Sequence, residues 1–111
     1  MRYLLLISAD EQTAQKAMAD GGFGSFEDWY TDLERRGVLE AHVGLHESHT
    51  ATTVRVRDGE VLLTDGPFAE GREQVGGLAL INCRDLDEAV EIAAGHPASA
   101  VGRVEIRPVR E

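Results

Sequence analysis

The chain is poor in three things that usually announce a function: cysteine, basic charge and long apolar runs. Its one cysteine, Cys83, cannot form an internal disulfide, and its place inside an apolar run reads as a small buried hydrophobe rather than a nucleophile. Eleven Lys and Arg face twenty Asp and Glu, giving a formal charge of −9. That balance repels nucleic-acid phosphates, and the basic pairs Arg35-Arg36 and Arg55 with Arg57 are too little to override it. The acidic surface serves solubility. No stretch approaches the roughly eighteen apolar residues of a membrane span. The opening Leu4-Leu5-Leu6-Ile7 is too short for a signal-peptide core and runs at once into Asp10 and Glu11, so a cytoplasmic protein without a membrane segment is expected. Also absent are a Ser-His-Asp order, a phosphate loop and a dinucleotide fingerprint, so no bound cofactor is expected.

What is present reads as one ordinary globular domain over residues 1–111. A hydrophobic share of 42% and a charged share of 28% exclude disorder and fibrous repeats. A chain of this length buries roughly 60 to 70% of the surface its unfolded form exposes. Nothing in it repeats, and no linker divides it.

Along the chain the apolar period switches between two and about 3.6. Residues 2–8 form a short β-compatible run, and a helix begins at Asp10. Gly21, Gly22 and Gly24 place a loop near 20–24. Ser25 is expected to cap the next helix, on which Phe26, Trp29, Tyr30 and Leu33 form a core-facing stripe. Gly37 ends it, with Arg35 and Arg36 in the last turn. Residues 38–47 read as a second strand. Thr52–Arg57 and Val61–Thr64 flank Asp58-Gly59, a hairpin turn signal. Leu78–Cys83 reads as a central strand covered on both faces. Asp85 caps a helix whose Leu86, Ala89, Val90 and Ala93 share one side, and Gly95 and Pro97 stop it. His96 is expected at the helix end as a cation or a surface residue. The last strand runs near 102–108. That order is an α+β, ferredoxin-like βαββαβ layout with an inserted hairpin. Its helices cover one sheet face and leave the other open.

The run Thr64-Asp65-Gly66-Pro67-Phe68-Ala69-Glu70, followed by Glu73-Gln74-Val75-Gly76-Gly77, resembles the DGPF-domain, or YCII-related, family. The likeness extends to Arg2–Ile7, Ala51–Arg55, Asp58-Gly59, Asp85–Ala89 and Val104–Val109, nearly the whole chain. It implies a homodimer joined through the open sheet faces as a dimeric α/β barrel, and a His-Asp pair as active site. Relatives carry Gln and Pro where Leu45-His46-Glu47 stands, so His46 is a departure of this chain. Arg72-Glu73 stands where they show Lys-Glu. DGPF-type genes often lie beside extracytoplasmic-function sigma factors, which implies a second setting, a sigma-factor-associated accessory protein.

Asp65 heads the candidates for chemistry. Pro67 fixes its φ and Gly66 admits unusual angles, so the carboxylate is aimed, either as a base or as the first residue of a turn that accepts backbone N–H bonds. Phe68 is read as the turn's anchor. His42, His46 and His49 fall within eight residues. On a strand His42 and His46 lie about 13 Å apart, too far to share a metal, so no metal site is expected. A carboxylate that fixes an imidazole's tautomer makes it a base near neutral pH, so Asp65 with His46 or His42 is the catalytic expectation. Arg55, Glu73 and Arg107 are the candidates for holding an anionic or enolic small molecule, with Glu105 and Arg107 alternatively a strand ion pair. The sequence thus leaves three classes: a cofactor-independent proton-transfer enzyme, a non-catalytic ligand-binding or accessory protein, and a structural dimer.

Overall fold

The computed structural model of the chain describes residues 1–20, 25–69 and 71–111. Its elements follow as β1 (Arg2–Asp10), α1 (Glu11–Ala19), α2 (Ser25–Arg36), β2 (Leu39–Gly44), a 3-10 turn (Ser48–Thr50), β3 (Thr52–Arg57), β4 (Glu60–Asp65), β5 (Glu73–Asn82), α3 (Leu86–Gly95), α4 (Ala98–Val101) and β6 (Gly102–Pro108). One antiparallel sheet has the order β2-β5-β1-β6, and β3 pairs β4 in a separate two-stranded sheet. This is the ferredoxin-like βαββαβ arrangement, with a hairpin inserted between its second and third sheet strands. The expected loop at 21–24, the Ser25 cap and Glu70 lie outside the described residues.

Helix ends follow from the residues at them. Asp10 caps α1 by accepting from Gln12 N–H at 3.0 Å. Asp85 accepts from Glu88 N–H at 3.0 Å, while Glu88 reaches back to Arg84 N–H at 2.8 Å. After α2, Gly37 takes φ 71°, so that Val38 N–H returns to Leu33 O at 3.2 Å. Arg36 then bridges the helices, donating to Glu88 at 3.1 Å and Glu91 at 3.2 Å while also holding Asp32. Those bonds pull the Glu88 carboxyl below its usual range, the Arg84 N–H acting most strongly.

The core lies between the sheet and the helices. Strand alternation sends Tyr3, Leu5, Ile7, Ala79 and Ile81 to the helix side, where Trp29 and Leu33 of α2 and Ala89, Ile92 and Ala93 of α3 meet them. Phe26 and Tyr30 pack against this core half-buried, completing the aromatic stripe. Cys83 is buried, and burial pushes its thiol up, away from the reactive thiolate. The opposite sheet face carries Leu4, Leu6, Leu78, Leu80 and Val43, paired across β1, β5 and β2. Among the described residues no helix of the chain covers these half-buried leucines, so β5 is packed by helices on one face rather than the expected two.

Three further expectations change. In α3 the buried side is Glu88, Ala89, Ile92 and Ala93, and Leu86 and Val90 are exposed. A ten-residue helix with apolar side chains at six positions supports two stripes, and the sheet selects the one bearing Ile92. Phe68 is 76% exposed and anchors nothing in the core. A short α4 also intervenes between Pro97 and the last strand.

The hairpin stands as an arm. Asp58 at φ 51° and Gly59 at φ 78° make its tip, the type I′ geometry an Asp-Gly pair favours. Its register places Val54 opposite Leu63 and Val56 opposite Val61, so all four share one face, and all four are exposed. The radius of gyration, 15.7 Å, exceeds the roughly 13 Å of a compact chain of this length.

Where β6 meets β1 the backbones nearly touch. A Cβ on Gly102 would lie 2.1 Å from Ser8 O and 2.7 Å from Ala9 Cα. Gly102→Ala must therefore separate the strands, and we expect it to lower unfolding free energy in urea by about 1–3 kcal/mol.

Candidate functional site

The site is built where β1 runs into α1, and its inner wall depends on the junction of α2 and α3. The last carbonyls of a helix lack internal donors. Ile92 O is one of these, and the buried indole of Trp29 donates to it at 2.8 Å. His96 follows as the C-cap of α3, 4% exposed, with its Nδ1 accepting the Ala98 N–H at 2.9 Å. The expected surface cation is thus a buried neutral imidazole, pushed down to about 4 by burial, with His42 adding to the shift. Trp29 lies edge-on to His96 at 4.7 Å and to His42 at 6.4 Å, and the Phe26 ring is 5.1 Å from His42. Burial lowers His42 as well.

Three cavities meet at this end of the molecule. The first, about 550 Å³, is lined by Asp65, His49, Arg72, Asp10, Glu11 and Gln74, among others. The second, about 300 Å³, holds His42, His46, His96 and Phe26 and again has Glu11 and Gln74 in its wall. The third, about 690 Å³, runs beneath the arm past His46, Thr53, Phe68, Glu73 and Arg103. Glu11 is the partition between the first two. Its carboxylate accepts both the Ser48 hydroxyl and the Ser48 N–H, the latter at 2.7 Å, and these bonds hold it below the usual carboxylate range. Asp10 has two duties: Oδ1 caps α1, and Oδ2 takes Arg72 Nε at 2.9 Å, which depresses its carboxyl.

Asp65 ends β4 with its side chain exposed, and no side-chain hydrogen bond to it is found among the described residues. The turn beyond is pinned by Gly66 N–H to Ala51 O at 2.7 Å and by the Thr53 hydroxyl to Gly66 O at 3.0 Å, with Gly66 at φ 98°. The imidazole sharing its cavity is His49, whose Nδ1 lies 3.4 Å from Glu47. His46, exposed in the loop after β2, and His42, on the helix side of β2, open to the second cavity instead. Arg55 lies 5.0 Å over the Phe68 ring on the arm. Glu73 pairs with Arg103 at 2.9 Å, and Arg107 with Glu105 at 2.8 Å. Among the described residues no three His, Cys, Asp or Glu converge as a metal site, and no helix is long and apolar enough to cross a membrane.

Sequence reasoning passed over Glu11, Ser48 and Gln74, and it set His96 at the surface. Of these only Glu11 carried a signal, an acid in a helix first turn, and that position has an ordinary explanation in the helix dipole.

A half-open ferredoxin-like sheet with a cleft of carboxylates and imidazoles at one end defines a small α+β protein. The chain belongs to the YCII-related domain family, whose model matches residues 1–111. It is also similar to an uncharacterized protein of Rhizobium meliloti (strain 1021), 43% identical over 61 residues that make up 53% of this chain and 49% of that protein. The chain therefore spans about half the length of this curated relative.

His96 generates a pH dependence. Its folded pKa of about 4 lies below the ordinary 6.5, so between these values the unfolded chain binds a proton that the folded one refuses. Stability is complete above pH 6.5 and falls as the pH drops through that window. Urea midpoints at pH 7.5, 6 and 5 should decrease in order, and His96→Gln, which keeps an acceptor toward Ala98, should flatten the decrease.

Proposed function

We propose that this YCII-related chain is a cofactor-independent enzyme that moves a proton on a small molecule, with Asp65 as general base. The observation that carries the reading is Asp65 itself, an exposed carboxylate without a bonding partner among the described residues, set by a pinned turn at the wall of a roomy cavity that also holds an imidazole. A carbon acid next to a carbonyl suits this set. Asp65 takes the proton, the electron pair moves to the carbonyl oxygen, and Arg72 faces the enolate. Arg72 bonds Asp10 through Nε, so among the described residues its terminal nitrogens remain to meet that oxygen. His49 then returns a proton to the product. Within one chain it is His49 that shares the Asp65 cavity, while His42 and His46 stand behind the Glu11 partition. A reducing cytoplasm suits the single buried thiol.

We further propose that two copies join through the open sheet face as a dimeric α/β barrel, because Leu4, Leu6, Leu78 and Leu80 form a half-buried apolar patch that no helix covers among the described residues. The exposed apolar face of the arm favours a second reading, an accessory protein that binds a partner such as a sigma factor without catalysis.

Exchange of carbon-bound hydrogen in D₂O tests the reaction directly. Over a panel of small 1,3-dicarbonyl and hydroxyaromatic compounds, the parent should accelerate exchange on at least one, and Asp65→Asn should slow it by about 100-fold or more with melting unchanged. Equal exchange by the variant would sink the assignment of Asp65. For the dimer, Leu78→Glu should turn a two-chain mass in light scattering into a one-chain mass. A parent that is already monomeric would remove the barrel.

A further inference from the structure

The second cavity contains chemistry that the proton-transfer reading does not use. Its walls are largely apolar, from Ile7, Ala14, Met18, Phe26 and Leu45, and against them stand His42 and His96. His96 is 4% exposed and its Nδ1 accepts a backbone N–H. A ring nitrogen that accepts carries no proton, so in this imidazole the proton sits on Nε2. Among the described residues no acceptor takes that Nε2–H, and none of their buried side-chain nitrogens or oxygens is both sealed off and unpartnered. Nε2 therefore opens onto the cavity as a donor in an apolar, ring-lined space, where an acceptor is worth most.

We propose that this cavity binds a small, flat, uncharged ring compound bearing a carbonyl or hydroxyl oxygen. The oxygen accepts from His96 Nε2, and the ring lies against Phe26, which already has tilted neighbours in His42 at 5.1 Å and His96 at 5.7 Å. Charge is excluded from both sides. His42 and His96, the imidazoles set among the apolar walls, are neutral, His46 lies exposed in the loop after β2, and the wall carboxylates Glu11 and Glu47 repel an anion. Nor is a carboxylate left over for a cation, because Glu11 holds Ser48 and Glu47 lies against His49. A volume of about 300 Å³ fits one or two rings. The inference stands apart from the Asp65 reading and holds or fails without it.

Acetophenone is the probe, titrated into the full chain at pH 7.5 and followed by saturation-transfer NMR and by the indole N–H signal of Trp29, the single tryptophan. Saturable binding is expected at ~0.1–1 mM, the range for a fragment of this size. Ethylbenzene, which lacks the oxygen, should bind at least about five-fold more weakly, and benzoate and benzylammonium at least about ten-fold more weakly. Ala14→Phe fills the cavity from α1 with His96 itself unchanged and should weaken acetophenone by at least about ten-fold with circular dichroism unchanged. No saturable binding below about 10 mM, tighter binding of either charged ring, or affinity indifferent to Ala14→Phe would each overturn the proposal.

Discussion

One buried hydrogen bond, from the Trp29 indole to Ile92 O, fixes most of what matters at the site. It gives a donor to a carbonyl at the end of α3 that the helix cannot satisfy itself, and so locks α2 and α3 at one spacing. The fit is close on the other side as well, since a Cβ on Gly95 would lie 3.4 Å from Trp29 Cδ1. With α3 stopped there, His96 is delivered under the Trp29 ring and its Nδ1 starts α4 by accepting from Ala98. The inner wall of the cleft is therefore an outcome of core packing, not of a separate loop.

The outer wall obeys a different physics. Asp10, Glu11 and Arg72 are held by charge-assisted bonds to one another and to Ser48, on the rim of the sheet where water screens them. Rigid neutral imidazoles within and adjustable ionic groups without make a graded cleft. It is apolar at the helix side and increasingly charged toward the arm.

Much of the scaffold was legible because single residues dictated it. Asp58-Gly59 and Gly37 sit where the backbone needs positive φ, Asp10 and Asp85 are caps with their hydrogen bonds in place, and the strand at 102–108 alternates cleanly. The family resemblance rested on a run whose turn is indeed pinned, at Gly66. What the sequence hid depends on elements distant along the chain. The phase of α3 is chosen by the sheet, not by the helix. His96 is buried by Trp29, and no local pattern marks it. The neighbours of Asp65 are set by how the 3-10 turn at Ser48–Thr50 folds beside the root of the arm, so spacing in the sequence pointed to His42 and His46 while the shared cavity holds His49.

Strand β1 occupies the middle of the sheet, with Leu4 beside Leu80 on one side and Arg107 on the other. A ribosome releases this strand before either of its neighbours, β5 and β6. At ordinary elongation speeds of ~5–20 residues per second, β1 waits roughly 5 to 20 s for β6. Until β5 emerges the run from Tyr3 to Ile7 lacks both of its sheet partners, and until β6 emerges one of its edges stays open, so the sheet cannot assemble in the order in which its strands are made. The centre of this sheet is thus closed by β6, so synthesis and assembly of the sheet are separate events, and nascent chains depend on whatever shields an apolar strand in the meantime.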